Sequence, residues 1–309
     1  MKQSMLAGRH ERRPRNSMRI SDHSDGLDVV ADNATIAEYR LGANIDAVNT
    51  PKPHFHPLRT LSGAQITDFA PEDHPWHQGL QFAFPRVGDH NLWGGGTYFG
   101  PEDGYKIVAD QGRISHERWQ HRDNDGDQVG WVEQLNWLGH EEQPLLSEQR
   151  TIGLSPTTES AVGWMLDHNS RLSNVTDAEL TLATPAQRGR PDGGYGGLFL
   201  RLAEGFTPSS LRGDSGEITA SGARSRTLVV SGTTGAGDTV TLGLAFTDTA
   251  PTGDQAWLYR FEDFPAIGWA GAYENPFTVP PGGSLELSHR LAIYDGTIDA
   301  AAVRHELLK

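Results

Sequence analysis

Residues 129–154 read VGWVEQLNWLGHEEQPLLSEQRTIGL, and their periodicity decides the fold class. Val129, Trp131, Glu133, Leu135 and Trp137 occupy alternate positions, as do Leu146, Glu148, Arg150, Ile152 and Leu154. A period of two places each set on one face of an extended strand; a helix would scatter it around the axis. Both apolar rows carry charge. A Glu148–Arg150 pair, or Glu133 at a strand end in solvent, accounts for that structurally. If buried, either carboxylate needs a partner or a shifted pKa.

The same pattern extends in both directions. Residues 27–31, 36–41, 80–84 and 114–121 precede it, the last followed by an Asp/Asn/Gly turn at 123–127. Val162, Trp164, Leu166 and His168 follow it, then Leu180 and Leu182, and further strands are expected at 198–202, 227–230, 240–246, 257–261, 267–273 and 285–294. Only 297–308 (TIDAAAVRHELL) reads as an amphipathic helix. Many short strands with one terminal helix indicate an all-β sandwich or barrel. Two loops rich in glycine interrupt the pattern: 92–100 (LWGGGTYFG) and 184–197 (TPAQRGRPDGGYGG). No composition shift marks a second domain, so 21–309 is expected to form one domain behind a basic leader at 1–20.

That leader carries Lys2, Arg9, Arg12, Arg13, Arg15 and Arg19 against Glu11 alone, although the whole chain has a net charge of −14. The rest is therefore strongly acidic, which argues against a nucleic-acid partner, since phosphate binding needs clustered cations. The leader lacks the apolar segment of a secretory signal, and no stretch approaches a membrane span. A cytoplasmic protein without a membrane partner is expected. The absence of cysteine excludes disulfides, thiolate metal sites and a cysteine nucleophile.

Usable chemistry concentrates in residues 54–95, which hold His54, His56, His74, His77 and His90. His54 and His56, two apart, share a face if extended; His74 and His77 flank Pro75 in what reads as a tight loop. Two site readings follow. In the first, His54, His56, His74 and His77 hold a divalent metal, with Asp73 as the alternative to His77 in completing the set. In the favoured second reading there is no metal. His54, Arg59, His74 and Asn91 bond sugar hydroxyls, and Trp76, Trp93 or Tyr98 stacks on the ring. His56 or His77 acts as acid or base against Glu133 or Glu148. Arg188, Arg190 and Arg201 in or after the second glycine loop could bind an anionic sugar, as a carboxylate or phosphate, or simply be surface charges, and Tyr195 of that loop is a further candidate contact to the sugar. His289, on the row of Leu285, Leu287, Leu291 and Ile293, reads as a satisfied core histidine. Neither glycine loop matches a nucleotide fingerprint, so no cofactor is expected.

The runs PHFHPLRTLSG, DHPWHQGLQFAF and NLWGGGTY, with GRPDGGYGGLFLR and GWAGAYENPFTVPPGGSLELSHRLAIYDG, resemble the DUF6807 family, also labelled the methane oxygenase PmoA family. The resemblance covers roughly residues 28–296. It implies a galactose mutarotase-like antiparallel β super-sandwich with a sugar-sized cleft on one sheet. It also implies association with sugar-oxidising dehydrogenases. The methane label does not fit, because that subunit is an integral membrane protein and this chain has no apolar run long enough to span a bilayer. The histidine segment usual in mutarotases is missing, and Arg188, Arg190 and Tyr195 stand near its place, so mutarotation does not transfer residue by residue. The expectation is acid–base chemistry on a sugar or keto-sugar, by epimerisation, elimination or hydrolysis. A metal-dependent lyase or hydrolase and a non-catalytic sugar-binding module are the alternatives.

Overall fold

The computed structural model describes residues 17–124, 126–158, 160, 162–247 and 256–309. Most of the basic leader therefore lies outside the described residues. Its end does not: Met18–His23 is a strand paired with Gly26–Ala31, and Met18 is buried opposite Ala31. The ordered sheet thus starts inside the segment expected to be a leader, because Met18 and Ile20 supply apolar side chains to its core.

The expected sandwich is present as two antiparallel sheets of nine strands each. The first runs Met18–His23, Gly26–Ala31, Ala34–Arg40, His54–Leu58, Leu80–Ala83, Gly197–Arg201, Ala266–Trp269, Ala256–Arg260 and Ala223–Arg224. The second runs Gly216–Glu217, Thr207–Gly213, Thr227–Thr233, Thr239–Phe246, Ser284–Asp295, Gly163–Asn174, Pro144–Pro156, Val129–Leu138 and Arg113–Asp123. A three-stranded sheet and the two-stranded ribbon Thr97–Tyr98/Tyr105–Lys106 complete the strands.

Alternation in Val129–Leu138 is as read: every second residue is buried. Trp131 meets Tyr39 and Phe55 of the first sheet at ring distances of 5.2 and 6.0 Å, and Trp137 meets Phe82 at 6.1 Å. These aromatics join the two inner faces into one core, each burying a large apolar area. Central strands such as Gly197–Arg201 and Thr239–Phe246 are buried almost throughout. The helix Ala300–Leu307 covers the outer face of Thr239–Phe246, and the outer face of Gly197–Arg201 lies between loops, which explains why both read as continuous apolar runs.

Over the second sheet lies the one α-helix among the described residues, Ala300–Leu307. The Asp299 carboxylate accepts from the backbone N–H groups of Ala301 and Ala302, so the helix starts later than the apolar pattern at 297 suggests. Val303 and Leu307 pack on Val229, Ala245 and Ala292. Gly243 makes room for them, since a Cβ there would stand 2.4 Å from Val303.

The inward carboxylates are paired. Glu148 accepts from Arg150 Nε (2.8 Å) and Nη2 (3.0 Å), Trp137 Nε1 (2.6 Å) and Ser170 Oγ (2.6 Å). Glu133 accepts from the Tyr39 hydroxyl and lies 2.8 Å from His116 Nδ1, while Arg150 Nη1 donates to the Tyr39 oxygen at 3.1 Å. Burial pushes the Tyr39 hydroxyl well above its ordinary pKa, so it remains a donor to Glu133. His289 is buried as expected but not satisfied: neither ring nitrogen has a partner among the described residues. It sits beside Phe82, Phe246 and Trp269.

Candidate functional site

The outer face of the first sheet carries a cleft of about 860 Å³. Register lines up His54, Gln81, Phe199, Gly268 and Leu258 across adjacent strands. Phe199, Gly268 and Leu258 belong to the cleft floor. Gly268 gives the floor its depth, because a Cβ there would press to 3.2 Å from the Phe199 ring. The walls come from five separate stretches, represented by His74–His77, Trp93–Gly96, Tyr105–Ile107, Arg190–Tyr195 and Phe261–Phe264.

The first wall is a closed loop. Ala70 N donates to His77 O (2.8 Å), His74 N to Pro71 O (3.0 Å) and His77 N to His74 O (2.9 Å). These turns stack the two imidazoles, with centroids 4.6 Å apart and planes at 12°. His74 Nδ1 lies 2.6 Å from Asp73 Oδ2, leaving Nε2 as the nitrogen available to a ligand. Arg201 Nη2 holds the other Asp73 oxygen at 3.2 Å, and its guanidinium lies 4.4 Å from the Phe264 ring centre. Partial burial alone would raise the Asp73 carboxyl, but the His74 bond and the Arg201 charge bring it below its ordinary range. His77 is buried between Phe199, Trp93 and Phe264. Desolvation keeps its imidazole neutral, and its Nδ1 has no partner among the described residues.

The second wall presents Trp93. Asn91 Oδ1 accepts from Trp93 N and Gly94 N, both at 2.9 Å, and Asn91 Nδ2 donates to Gly95 O and Thr97 Oγ1. Asn91 therefore shapes the loop instead of facing the main cleft. Beneath it, Lys52 is wholly buried and donates to the carbonyls of Asn49, Thr50 and Trp93. Gly94 and Gly95, both at positive φ, let the loop close on Trp76; a Cβ at either would fall within 2.7 Å of that side chain. A third corner joins Tyr105, Tyr195 and Arg190: the two hydroxyls are 2.6 Å apart and Arg190 donates to Tyr105.

Of the residues singled out from the sequence, His74, Trp76, His77, Trp93, Arg190 and Tyr195 line the cleft, and Arg201 supports it through Asp73. The others are elsewhere. Glu133 and Glu148 are fully buried in the inter-sheet core, so neither faces His56 or His77 across a common site. His54 and His56 flank Phe69, with His54 Nδ1 bonded to Lys52 O and His56 Nδ1 to Thr67 Oγ1; neither lines the cleft. The histidines thus form two separate pairs instead of the four-ligand set considered for a metal. Among the described residues no group of three His, Asp or Glu side chains is spaced to hold a metal ion. Arg59 pairs with Glu38, and Arg188 donates to Tyr98 O outside the main cleft. Phe199, Tyr105, Tyr259 and Phe264 line the cleft unforeseen, because they come from segments whose adjacency is created by strand order alone.

No helix among the described residues is long and apolar enough to cross a membrane. A family model described as "Family of unknown function (DUF6807)" matches residues 26–307. No curated protein matches the chain. Among solved structures, the α-galactosidase from Lactobacillus brevis is similar at 10% identity and a TM-score of 0.43, over 91% of this chain and 40% of that one. A β-arabinopyranosidase is similar at 9% identity and a TM-score of 0.32, over 90% of this chain and 38% of that one. The chain thus spans well under half the length of either neighbour.

Proposed function

The chain belongs to the DUF6807 family, whose description leaves function open, and from the cleft we propose that it performs acid–base chemistry on a sugar or keto-sugar. The observation that carries this reading is the Asp73–His74–His77 arrangement at the wall of an aromatic cleft. Asp73 fixes the His74 tautomer with Nδ1 protonated, so the lone pair on Nε2 can take a proton from a hydroxyl or from carbon beside a carbonyl. Arg201 keeps that carboxylate ionised and in place. His77, neutral and stacked on His74, supplies a second ring that carries no competing charge. Trp76, Trp93 and Phe264 offer apolar faces to a pyranose, and Asp192, Glu262 and Asp263 are the carboxyl groups lining the cleft that could return the proton. A keto-sugar supplied by a sugar dehydrogenase suits a base of this kind, since the carbonyl acidifies the neighbouring C–H.

The test is turnover of a panel of aldoses, keto-sugars and keto-glycosides, followed by proton NMR, together with binding read from the fluorescence of Trp76 and Trp93. Turnover that disappears in His74→Gln while sugar binding persists supports the reading. Binding without turnover of any substrate, unchanged by His74→Gln, would identify a non-catalytic sugar-binding module instead.

A further inference from the structure

We propose that the sugar held in this cleft bears a carboxylate, bound by Arg190 together with the Tyr105–Tyr195 pair. The inference rests on the reading of the cleft as a sugar site and narrows its substrate to acidic sugars.

Three arginines near the second glycine loop are open to an anion on sequence grounds, and the fold separates them. Arg201 is engaged by Asp73, and Arg188 bonds a backbone carbonyl outside the main cleft. Two other cations at the cleft also face acids: Lys106 bonds Asp103 at 2.7 Å, and Arg260 lies 3.7 Å from Asp263. Arg190 differs. It lines the cleft, and among the described residues its guanidinium bonds tyrosine hydroxyls, that of Tyr105 and that of Tyr195, and no carboxylate. Its guanidinium carbon lies 4.8 Å from the Tyr105 ring centre and 5.8 Å from that of Tyr195, so two aromatic rings position the group without neutralising it.

The tyrosines add a donor. Their oxygens are 2.6 Å apart, and that bond uses one hydroxyl hydrogen, whichever residue donates. The other hydroxyl hydrogen is therefore free for a ligand. Burial raises both phenols above their ordinary pKa, so both hydroxyls stay protonated near neutral pH. A guanidinium edge beside a phenol O–H matches the two oxygens of a carboxylate. The charge selects among anions. Asp192, Glu262 and Asp263 also line the cleft, and a cation that has no acidic partner among the described residues suits a single negative charge there better than a phosphate dianion.

Titration calorimetry with the full chain tests this, using methyl glycosides of glucuronate and galacturonate, their neutral glucose and galactose counterparts, and the corresponding 6-phosphates. A uronate is expected to bind about 10-fold or more tightly than its neutral counterpart. Arg190→Gln should bring that ratio close to one, Arg190→Lys should retain part of it, and Tyr105→Phe should reduce it. Urea unfolding of each variant shows whether the fold is intact. Equal binding of uronate and neutral sugar, a preference that survives Arg190→Gln, or tighter binding of the phosphates would overturn the proposal and leave the sugar site standing. Failure of every compound to bind would overturn the sugar site and the proposal with it.

Discussion

Asp73 and Glu148 show how differently two carboxylates are used in this chain. Asp73 is partly exposed and reaches His74, whereas Glu148 is sealed in the core with Arg150, Trp137 and Ser170. If Asp73 orients the His74 base, Asp73→Asn should lower kcat about 100-fold or more with little change in KM, as expected for a positioning partner in proton transfer. Steady-state kinetics on any substrate found would check this, and an unchanged kcat would remove Asp73 from the mechanism. Glu148→Gln should instead destabilise the fold by about 3–5 kcal/mol, because it leaves the Arg150 charge buried without its partner. The double variant Glu148→Met/Arg150→Met should be less destabilised than Glu148→Gln, since no lone charge remains; urea unfolding separates the two outcomes. At this scale the alternation placed Glu148 inward and suggested Arg150 as its partner. What alternation could not show is that the histidines face the opposite side of the other sheet.

Among the elements, the loop carrying Trp93 and the terminal helix are the most instructive. The 92–100 segment reads as a glycine-rich, aromatic loop, and so it is, with the short strand Thr97–Tyr98 at its end. Its conformation depends on contacts remote in sequence: Lys52 from below and Trp76 from the side. Gly95 sits at φ 66° with Trp76 ring atoms 2.7 Å from where a Cβ would be. Gly95→Ala should therefore cost about 1–2 kcal/mol from the left-handed backbone alone, with the displacement of Trp76 in addition. A lower melting temperature accompanied by a shifted tryptophan emission would register both effects; a change in neither would show that the loop tolerates a side chain. For the helix, Asp299→Ala should cost about 1 kcal/mol through loss of its N-cap, measurable in the same unfolding experiment.

Across the whole molecule, buried histidines tie stability to pH. Burial lowers His54 and His289 to about 3, and His77 and His168 well below their ordinary value. Each has a lower pKa folded than unfolded, so the unfolded chain takes up protons first as pH falls. Stability should be intact above about pH 6.5 and decline below it, by about 2 kcal/mol at pH 5 for each of His54 and His289. The urea midpoint should therefore drop between pH 7 and pH 5, and His289→Leu should make that drop shallower. A midpoint that is flat over this range would contradict the assignment of these residues as neutral and buried.

The amino-acid sequence by itself determined the all-β class, the terminal α-helix, the inward rows of the long strands and the family. These are consequences of local periodicity and of long motifs, which are written along the chain. Tertiary structure alone decided the make-up of the cleft. Phe199, Leu258 and Phe264 meet His74, Trp93 and Tyr195 only because the strand Leu80–Ala83 pairs with Gly197–Arg201, and that strand with Ala266–Trp269. A period of two states that a residue faces one side of a sheet, but not which side is covered or which distant strand lies next to it. That choice is made by burial of the whole apolar surface at once, and it placed Glu133 and Glu148 in the core and Asp73 at the cleft.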